Sequence, residues 1–192
     1  MPIRLPLFRK KVLELLSSTD ETKVMHISDT PESAYRFIGE LIEEVRPEYV
    51  IHTGDLADNI KLERRPDMKP LYIGAVRKLA RVLKNPGMEL YVVPGNEDDP
   101  PVVREFFRES VVEPGTIVEI VGRRFALGHT WREVANLDAD FRLYGHNFKL
   151  IDRGLNGVLG VNFVLLPSGK AYRVKYPGGT DFERGYKMWR GL

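Results

Sequence analysis

The sequence predicts a mixed α/β fold in which two β-sheets pack face to face and helices flank the sandwich. Two patterns favour this fold: the first half alternates strands with helices, and the part beyond Pro114 reads as strand after strand. In addition, 192 residues with 43% hydrophobic content suffice to bury one substantial core. We therefore expect one domain over residues 1–192, with a helical N-terminal extension at 1–20 and a tail of uncertain structure at 177–192.

The opening segment and the first βαβ unit follow clear patterns. Residues 8–17 place apolar side chains among basic ones and predict a short amphipathic helix. Strands are predicted at 23–27 and 49–52, and each is followed closely by a carboxylate, Asp29 and Asp55 respectively. The helix between the strands has apolar residues in an i, i+3, i+4, i+7, i+8, i+11 series, which are Ala34, Phe37, Ile38, Leu41, Ile42 and Val45.

A second helix and a third strand complete the first half. Residues 58–69 are charged and unpatterned, which indicates a loop over the strand ends. A helix is predicted to start at Pro70 and to end before Asn85, since proline is well tolerated in a first helical turn. The strand 90–93 follows, and Asp99 is placed to cap a short helix that begins with two prolines.

The second half is predicted to be a meander of strands. The predicted strands cover residues 116–121, 124–127, 141–144, 158–166 and 171–176. Gly122-Arg123 between the first two is suited to a hairpin turn. A βαβα order followed by a meander fits two sheets better than one.

Composition excludes several classes of protein. There are 29 Lys and Arg against 27 Asp and Glu, with both signs interspersed, so nothing indicates a general nucleic-acid or membrane-surface partner. Cysteine is absent, which excludes disulfides and thiolate metal sites. No stretch resembles a signal peptide or a membrane span, and we expect a cytoplasmic protein. A charged fraction of 29% without cysteine resembles thermophile composition.

Polar side chains follow five predicted strands. In α/β proteins, ligands bind outside the carboxyl ends of the strands. Carboxylate and amide oxygens together with imidazole nitrogens suit Mn²⁺, Fe²⁺ or Zn²⁺ better than Ca²⁺. The candidate ligands at these ends are Asp29, Asp55, Asn96, His129 and His146.

Five short motifs in order resemble the calcineurin-like metallophosphoesterases. They are Asp29, Gly54-Asp55, Gly95-Asn96, Gly128-His129 and Gly145-His146, within residues 24–148. The resemblance implies a β-sandwich flanked by helices and two divalent metals bridged by the aspartate of the Gly-Asp motif, Asp55. Small archaeal and bacterial phosphodiesterases of similar length are the most similar type.

Two departures from the family pattern affect one of the two metals. The first motif usually reads Asp-x-His, but Pro31 stands at the histidine position, and the last usually reads Gly-His-x-His, but Phe148 replaces its second histidine. The resemblance therefore implies one complete site, at Asp55, Asn96, His129 and His146, for Mn, Fe or Zn. The other position is expected to be oxygen-only, holding Mg or Mn, or empty.

A third departure concerns catalysis. Glu97 stands where the family has the histidine that protonates the leaving group or stabilises the transition state. A carboxylate beside a dication stays ionised and cannot serve as that donor. The candidate catalytic residues are Asp55 and, because it stands at the histidine position, Glu97. Our hypothesis for Glu97 is that it joins Asp29 and Asp55 as a third carboxylate ligand of the altered site.

Other polar residues receive structural interpretations. His26 and His52 lie inside strands and are expected to be hydrogen-bonded core residues. Asp58, Asp98 and Asp99 are expected to be loop or capping carboxylates, with Asp98 as a possible orienting partner of a ligand histidine. A solvated loop accounts for the basic residues Lys61, Arg64 and Arg65 more simply than a phosphate contact does.

The sequence fits three functions to different degrees. The first is hydrolysis of a small phosphate ester, favouring aryl or nucleotide-type phosphodiesters because assistance to the leaving group is weakened. The second is a catalytically degenerate binding or scaffold protein, for which the aromatic tail with Tyr186 and Trp189 is the candidate surface. A nucleotide-binding protein ranks last, because the chain lacks a Gly-rich phosphate loop of the Walker type. The sequence gives no indication of the oligomeric state.

Overall fold

The fold is described from a computed structural model covering residues 7–186. The predicted tail beyond residue 186, including Trp189, lies outside these residues. Within them are nine strands and six α-helices. The strands are β1 (Thr22–Ile27), β2 (Tyr49–His52), β3 (Glu89–Val92), β4 (Thr116–Ile120), β5 (Arg123–Leu127), β6 (Phe141–Tyr144), β7 (Gly154–Asn156), β8 (Val161–Leu166) and β9 (Lys170–Val174). The helices are α1 (Leu7–Ser18), α2 (Tyr35–Val45), α3 (Lys69–Leu83), α4 (Pro100–Phe107), α5 (Trp131–Val134) and α6 (Thr180–Glu183).

The strands form two mixed sheets. The five-stranded sheet has the order β3-β2-β1-β8-β9, with β1, β2 and β3 parallel and β8 antiparallel to both of its neighbours. The four-stranded sheet has the order β4-β5-β6-β7. Its β5, β6 and β7 pair in parallel, so the predicted meander is wrong there. The segment containing α5 is a crossover, which returns the chain in the same direction.

Three apolar clusters define the layers. The largest lies between helices α1 to α4 and the five-stranded sheet. A second cluster joins the inner faces of the two sheets and includes Ile51 and Val164 from one sheet and Phe125 and Leu143 from the other. The third packs α5 and its flanks, through Val134, onto the outer face of the four-stranded sheet. The predicted sandwich of two sheets with helices outside is confirmed.

Helix boundaries follow local chemistry in the predicted way. Helix α2 buries its periodic apolar face and ends at Val45. The next residue, Arg46, adopts a left-handed φ of 52° immediately before Pro47. Helix α4 begins with two prolines, and the Asp99 carboxylate accepts a hydrogen bond from the backbone N–H of Val102 at 3.2 Å.

Two predicted boundaries in the second half are wrong. The strand predicted at 158–166 begins only at Val161, because Gly160 has a φ of 151° and the residues before it form a 3-10 turn, Gly157–Leu159. The hairpin turn is Val121-Gly122 rather than Gly122-Arg123. Both turn residues have positive φ, 47° and 70°, as a type I′ turn requires.

None of the helices between residues 7 and 186 has both the length and the apolar composition needed to cross a bilayer.

Candidate metal centre

Four predicted ligands from four separate strand ends meet at one point. The amide oxygen Oδ1 of Asn96 lies 3.0 Å from His129 Nε2 and 3.0 Å from His146 Nδ1. The two imidazole nitrogens are 3.2 Å apart, and Asp55 Oδ2 is 3.5 Å from His129 Nε2. The fifth predicted residue, Asp29, adjoins this group, since its carboxylate accepts the backbone N–H of His146 at 3.0 and 3.2 Å.

The atoms that converge are electron-pair donors. His129 Nδ1 donates to the carbonyl oxygen of Thr53 at 2.8 Å, which in the neutral imidazole leaves the lone pair on Nε2. The Asn96 amide nitrogen donates to Glu63 Oε2 at 2.9 Å, so its Oδ1 faces the histidines. Lone pairs directed at one another repel unless a cation or a proton lies between them. Such a donor set fits a divalent metal ion.

Asp98 holds the backbone that presents Asp55. Its two carboxylate oxygens accept hydrogen bonds from the N–H groups of Asp55, Leu56 and Gly95 at 2.7–2.9 Å and from the Tyr72 hydroxyl at 2.8 Å. Asp98 therefore does not orient a ligand histidine, the role considered from the sequence. The carbonyl of Thr53 orients His129 instead.

Two glycines allow the strand ends to approach. A Cβ atom on Gly95 would lie 2.2 Å from Asp55 Oδ1, and one on Gly145 would lie 2.1 Å from Asp29 Oδ2. Neither position can therefore carry a side chain without displacing a candidate ligand. The Gly-Asn and Gly-His motifs are thus required by packing as well as by chemistry.

Three of the candidate ligands have left-handed backbones. Asp29, Asp55 and His146 have φ values of 51°, 56° and 68°. Such values are uncommon for non-glycine residues and cost free energy, so they persist only where the surroundings enforce them. Backbone bonds supply that enforcement, with Asp29 N–H donating to Gly54 O at 2.9 Å and Thr30 N–H to Asp55 O at 3.0 Å.

A second group consists of carboxylates alone. Asp29, Asp55 and Asp58 each place an oxygen within 4.8 Å of the others. Glu97 is not a member, which argues against the ligand hypothesis made for it. Its Oε2 accepts the backbone N–H of Glu63 at 2.9 Å, and its own N–H donates to Asp55 Oδ1 at 3.0 Å. Glu97 thus fastens the charged loop to the strand end.

The positions of the two missing histidines serve other purposes. Pro31 precedes a 3-10 turn, Glu32–Ala34, that leads into α2. Phe148 packs against Tyr186, with ring centroids 4.7 Å apart, and the Tyr186 hydroxyl donates to the carbonyl of His146 at 2.8 Å. Residues of the C-terminal segment therefore lie beside the altered position.

Arg184 is a residue that the sequence analysis missed. Its side chain is fully buried behind Asp29, where Nε donates to the Asp29 carbonyl at 2.5 Å and Nη1 to the Val158 carbonyl at 2.9 Å. The guanidinium also lies over the Tyr176 ring, 4.3 Å from its centroid. A single arginine in an unpatterned tail carries no local signal of such a role.

The two strand histidines and Arg65 match their structural interpretations, whereas Lys61 is partly buried against Asp58 rather than solvated. Lys61 binds Asp58, and Arg65 pairs with Asp67 at the surface. His26 accepts from Asn162 at 3.1 Å and hydrogen-bonds Thr53. His52 likewise has partners at both ring nitrogens. Burial lowers the pKa of each of these two histidines to about 3, so both are neutral core residues.

The electrostatics of the centre reflect an excess of buried negative charge. Burial raises the pKa of Asp55 well above its usual range, with His129 opposing and Asp29 adding to the effect. Burial, reinforced by Asp29, raises the pKa of Asp58 to about 7. For His129, burial lowers the pKa, but Asp55 and Asp29 outweigh it and raise the value to about 9. In the metal-free protein a proton on His129 supplies part of the missing positive charge.

This proton predicts a pH dependence of stability for the metal-free protein. A histidine whose pKa is raised to about 9 on folding stabilises the protein fully below its unfolded value of 6.5, and this stabilisation is lost as pH rises through 9. We expect urea unfolding with EDTA to show a loss of about 1–3 kcal/mol between pH 6.5 and 9. His129→Gln should remove most of this slope, and a wild-type stability that rises over this range would contradict the assignment. Excess Mn²⁺ should oppose the loss, since the ion replaces the proton.

Residues 22–187 match the family model of the calcineurin-like phosphoesterases. This chain belongs to the calcineurin-like phosphoesterase family. The resemblance inferred from five short motifs is confirmed. A search of curated proteins gave no significant match.

Solved structures similar to this calcineurin-like phosphoesterase have low sequence identity to it. One matches with a TM-score of 0.54 and 13% identity, covering 82% of this chain and 100% of its own. Yfce, a phosphoesterase from E. coli, is 17% identical, with a TM-score of 0.49 and coverage of 81% and 100%. The Pseudomonas putida nuclease MPE is 17% identical, with a TM-score of 0.43 and coverage of 79% and 87%.

Membership of the family implies the use of divalent metal, and the residues present fit such an ion. Asp55, His129 and His146 form a group able to hold one, and the Asn96 oxygen lies among them. Asp29, Asp55 and Asp58 form another such group.

Proposed function

We propose that this calcineurin-like phosphoesterase hydrolyses phosphodiesters with aryl or nucleotide-type leaving groups at a divalent metal held by Asp55, Asn96, His129 and His146. One observation carries the proposal: these four side chains direct electron-pair donors at a common point, from four strand ends of two sheets. A divalent ion bound there would offset the charge of a phosphate and lower the pKa of water towards neutrality.

The preference for diesters follows from charge. The centre adjoins three buried carboxylates, Asp29, Asp55 and Asp58. A phosphodiester carries one negative charge, whereas a phosphate monoester carries close to two at neutral pH, so repulsion from the carboxylates is weaker for the diester.

The preference for good leaving groups follows from Glu97. Its carboxylate is buried and accepts a hydrogen bond from Glu63 N–H, so it offers no proton to a departing oxygen. Positioned proton donation is typically worth about 10²–10⁴-fold in rate. Without a donor at this position, substrates whose leaving group departs as a stable anion are favoured.

Removal of one imidazole tests this function. His146 is exposed and has a positive φ, so His146→Gly deletes the ligand without straining the backbone. With Mn²⁺ present, kcat/KM for bis-aryl phosphate should fall at least ~100-fold, because even residues that only orient ligands are worth about 10–100-fold. Asp152→Gly, in an exposed loop, is the matched control and should keep the wild-type value. Equal rates for wild type and His146→Gly would reject this centre as the source of hydrolysis.

A binding or scaffold protein without catalysis is the second candidate. Phe148 and Phe182 expose large apolar side chains beside the C-terminal segment, as a docking surface would. Tyr186, named from the sequence, packs on Phe148 rather than standing free. Protein that binds Mn²⁺ but hydrolyses neither diesters nor monoesters would favour this candidate.

A further inference from the structure

We propose that Asp29, Asp55 and Asp58 form a second cation site composed only of oxygen ligands, in which Asp58 takes the place of the two missing histidines and Lys61 is a tethered competitor. The proposal deepens the proposed function, since Asp55 would belong to both sites. Asp58 lies three residues beyond Asp55, at the start of the charged loop.

The group is buried, and one of its atoms lacks a partner. All three side chains are at most 3% exposed, and Asp58 is 1% exposed. The Oδ1 atom of Asp58 binds Lys61 Nζ, whereas Oδ2 has no hydrogen-bond partner within the described part of the chain. A buried carboxylate oxygen without a donor is costly, and a cation coordinated by it would remove that cost.

The backbone fixes the three carboxylates before any ion binds. Asp29 N–H donates to Gly54 O and Thr30 N–H to Asp55 O, which joins the ends of β1 and β2. Asp58 N–H then donates to Thr30 O at 3.1 Å and ties the start of the charged loop to the same point. Preorganised ligands of this kind reduce the entropy lost on binding.

The neighbouring cations do not neutralise the group. Arg184 is buried beside it but donates to the backbone carbonyl of Asp29 rather than to the carboxylate. Lys61 reaches Asp58 alone among the three aspartates. His129 faces Asp55 from the side of the first site. Three carboxylates therefore share a volume with one paired lysine, which favours a dication.

The ligand chemistry determines which ions the site would take. Carboxylate oxygens without imidazole or thiolate suit Mg²⁺ and Mn²⁺, whereas the two imidazoles of the first site also suit Zn²⁺ and Fe²⁺. We therefore expect the two sites to differ in preference, with Zn²⁺ bound at the first and Mg²⁺ or Mn²⁺ at the second.

Counting bound ions on four proteins tests the site without using activity. Protein freed of metal with EDTA is titrated with Mn²⁺, and free Mn²⁺ is followed by electron paramagnetic resonance. Wild type is expected to bind two ions, and the isosteric variant Asp58→Asn one. Lys61→Met should retain two and bind the second roughly tenfold more tightly, since a competing unit charge is removed. Glu97→Gln, the control for the rival ligand, should retain two.

The outcomes separate this site from the proposed hydrolysis. Wild type with one Mn²⁺ or none, Asp58→Asn with two, or Glu97→Gln with one would each overturn the proposal. A Zn²⁺ titration of Asp58→Asn should still give one tightly bound ion, which shows that the variant is folded and that the first site is intact. Because no substrate is present, failure of the hydrolysis assay leaves these counts unaffected.

Discussion

Asp55→Asn is expected to abolish hydrolysis while making the metal-free protein more stable above pH 9, where His129 is neutral. Asp55 belongs to both candidate metal groups, so its loss weakens both together, and kcat/KM for bis-aryl phosphate should fall well over ~100-fold. The amide oxygen of asparagine can still accept the Glu97 N–H, so the local fold is kept. Above this pH, one charge fewer among three buried carboxylates should raise the free energy of unfolding by about 1 kcal/mol, whereas at lower pH the loss of the buried Asp55–His129 pair opposes the gain.

Two measurements on the same preparation check this expectation. Hydrolysis is assayed with saturating Mn²⁺. The Tm is measured with EDTA above pH 9, where about 1 kcal/mol corresponds to roughly 2–4 °C for a chain of this size. Asp138→Asn serves as control, because that side chain is 92% exposed and should leave both quantities unchanged. Retained activity in Asp55→Asn, or a Tm that falls in EDTA, would contradict the role given to this carboxylate.

Arg184→Met is expected to destabilise the protein by about 3 kcal/mol or more. The guanidinium donates to three backbone carbonyls, those of Ser28, Asp29 and Val158, and its side chain is 0% exposed. Methionine fills similar volume but donates nothing, and each buried acceptor left without a partner costs about 1–3 kcal/mol. Two of the three carbonyls belong to the residues that present the Asp29 carboxylate, so affinity for metal should weaken as well.

Urea unfolding of wild type and Arg184→Met gives the difference in free energy. Arg36→Met is the matched control, since Arg36 is an exposed helix residue paired with Glu40, and such pairs contribute about 0.3–0.5 kcal/mol. If the two variants lose similar stability, the buried hydrogen bonds of Arg184 do not stabilise the protein as expected. Mn²⁺ titration of the same samples shows whether Asp29 remains in place.

The sequence predicted the gathering of ligands because one rule of topology sufficed. Asp29, Asp55 and Asn96 follow three parallel strands of one sheet, and His129 and His146 follow two parallel strands of the other. Carboxyl ends of parallel strands share an edge, so the side chains had to lie near one another once the sheets faced each other. No knowledge of loop paths was needed for that step.

Glu97 and Asp58 could not be told apart by the same rule. Both are carboxylates shortly beyond a strand end, and their side-chain directions depend on the path of the charged loop. That path is set by hydrogen bonds between Glu63 and the pair Asn96 and Glu97, which join positions more than thirty residues apart. Local patterns contain no information on such contacts.

The features that the sequence did not predict are either short elements or contacts between residues far apart in the chain. Strand β7 has three residues and α5 has four, too few for a period to be recognised. Arg184 acts on Asp29 across 155 positions, from a tail that forms a single helical turn within residues 177–186. Their roles become visible only when the whole chain is folded.

The left-handed aspartates bear on the choice between an enzyme and an inert scaffold. Glycine at Asp29 and Asp55 would adopt the left-handed backbone without the strain that a side chain adds there. Asp29→Gly and Asp55→Gly therefore relieve conformational strain and like-charge repulsion at once. The strain therefore persists together with two carboxylates that hold the N–H groups of His146 and Glu97 and that converge at the candidate metal centre.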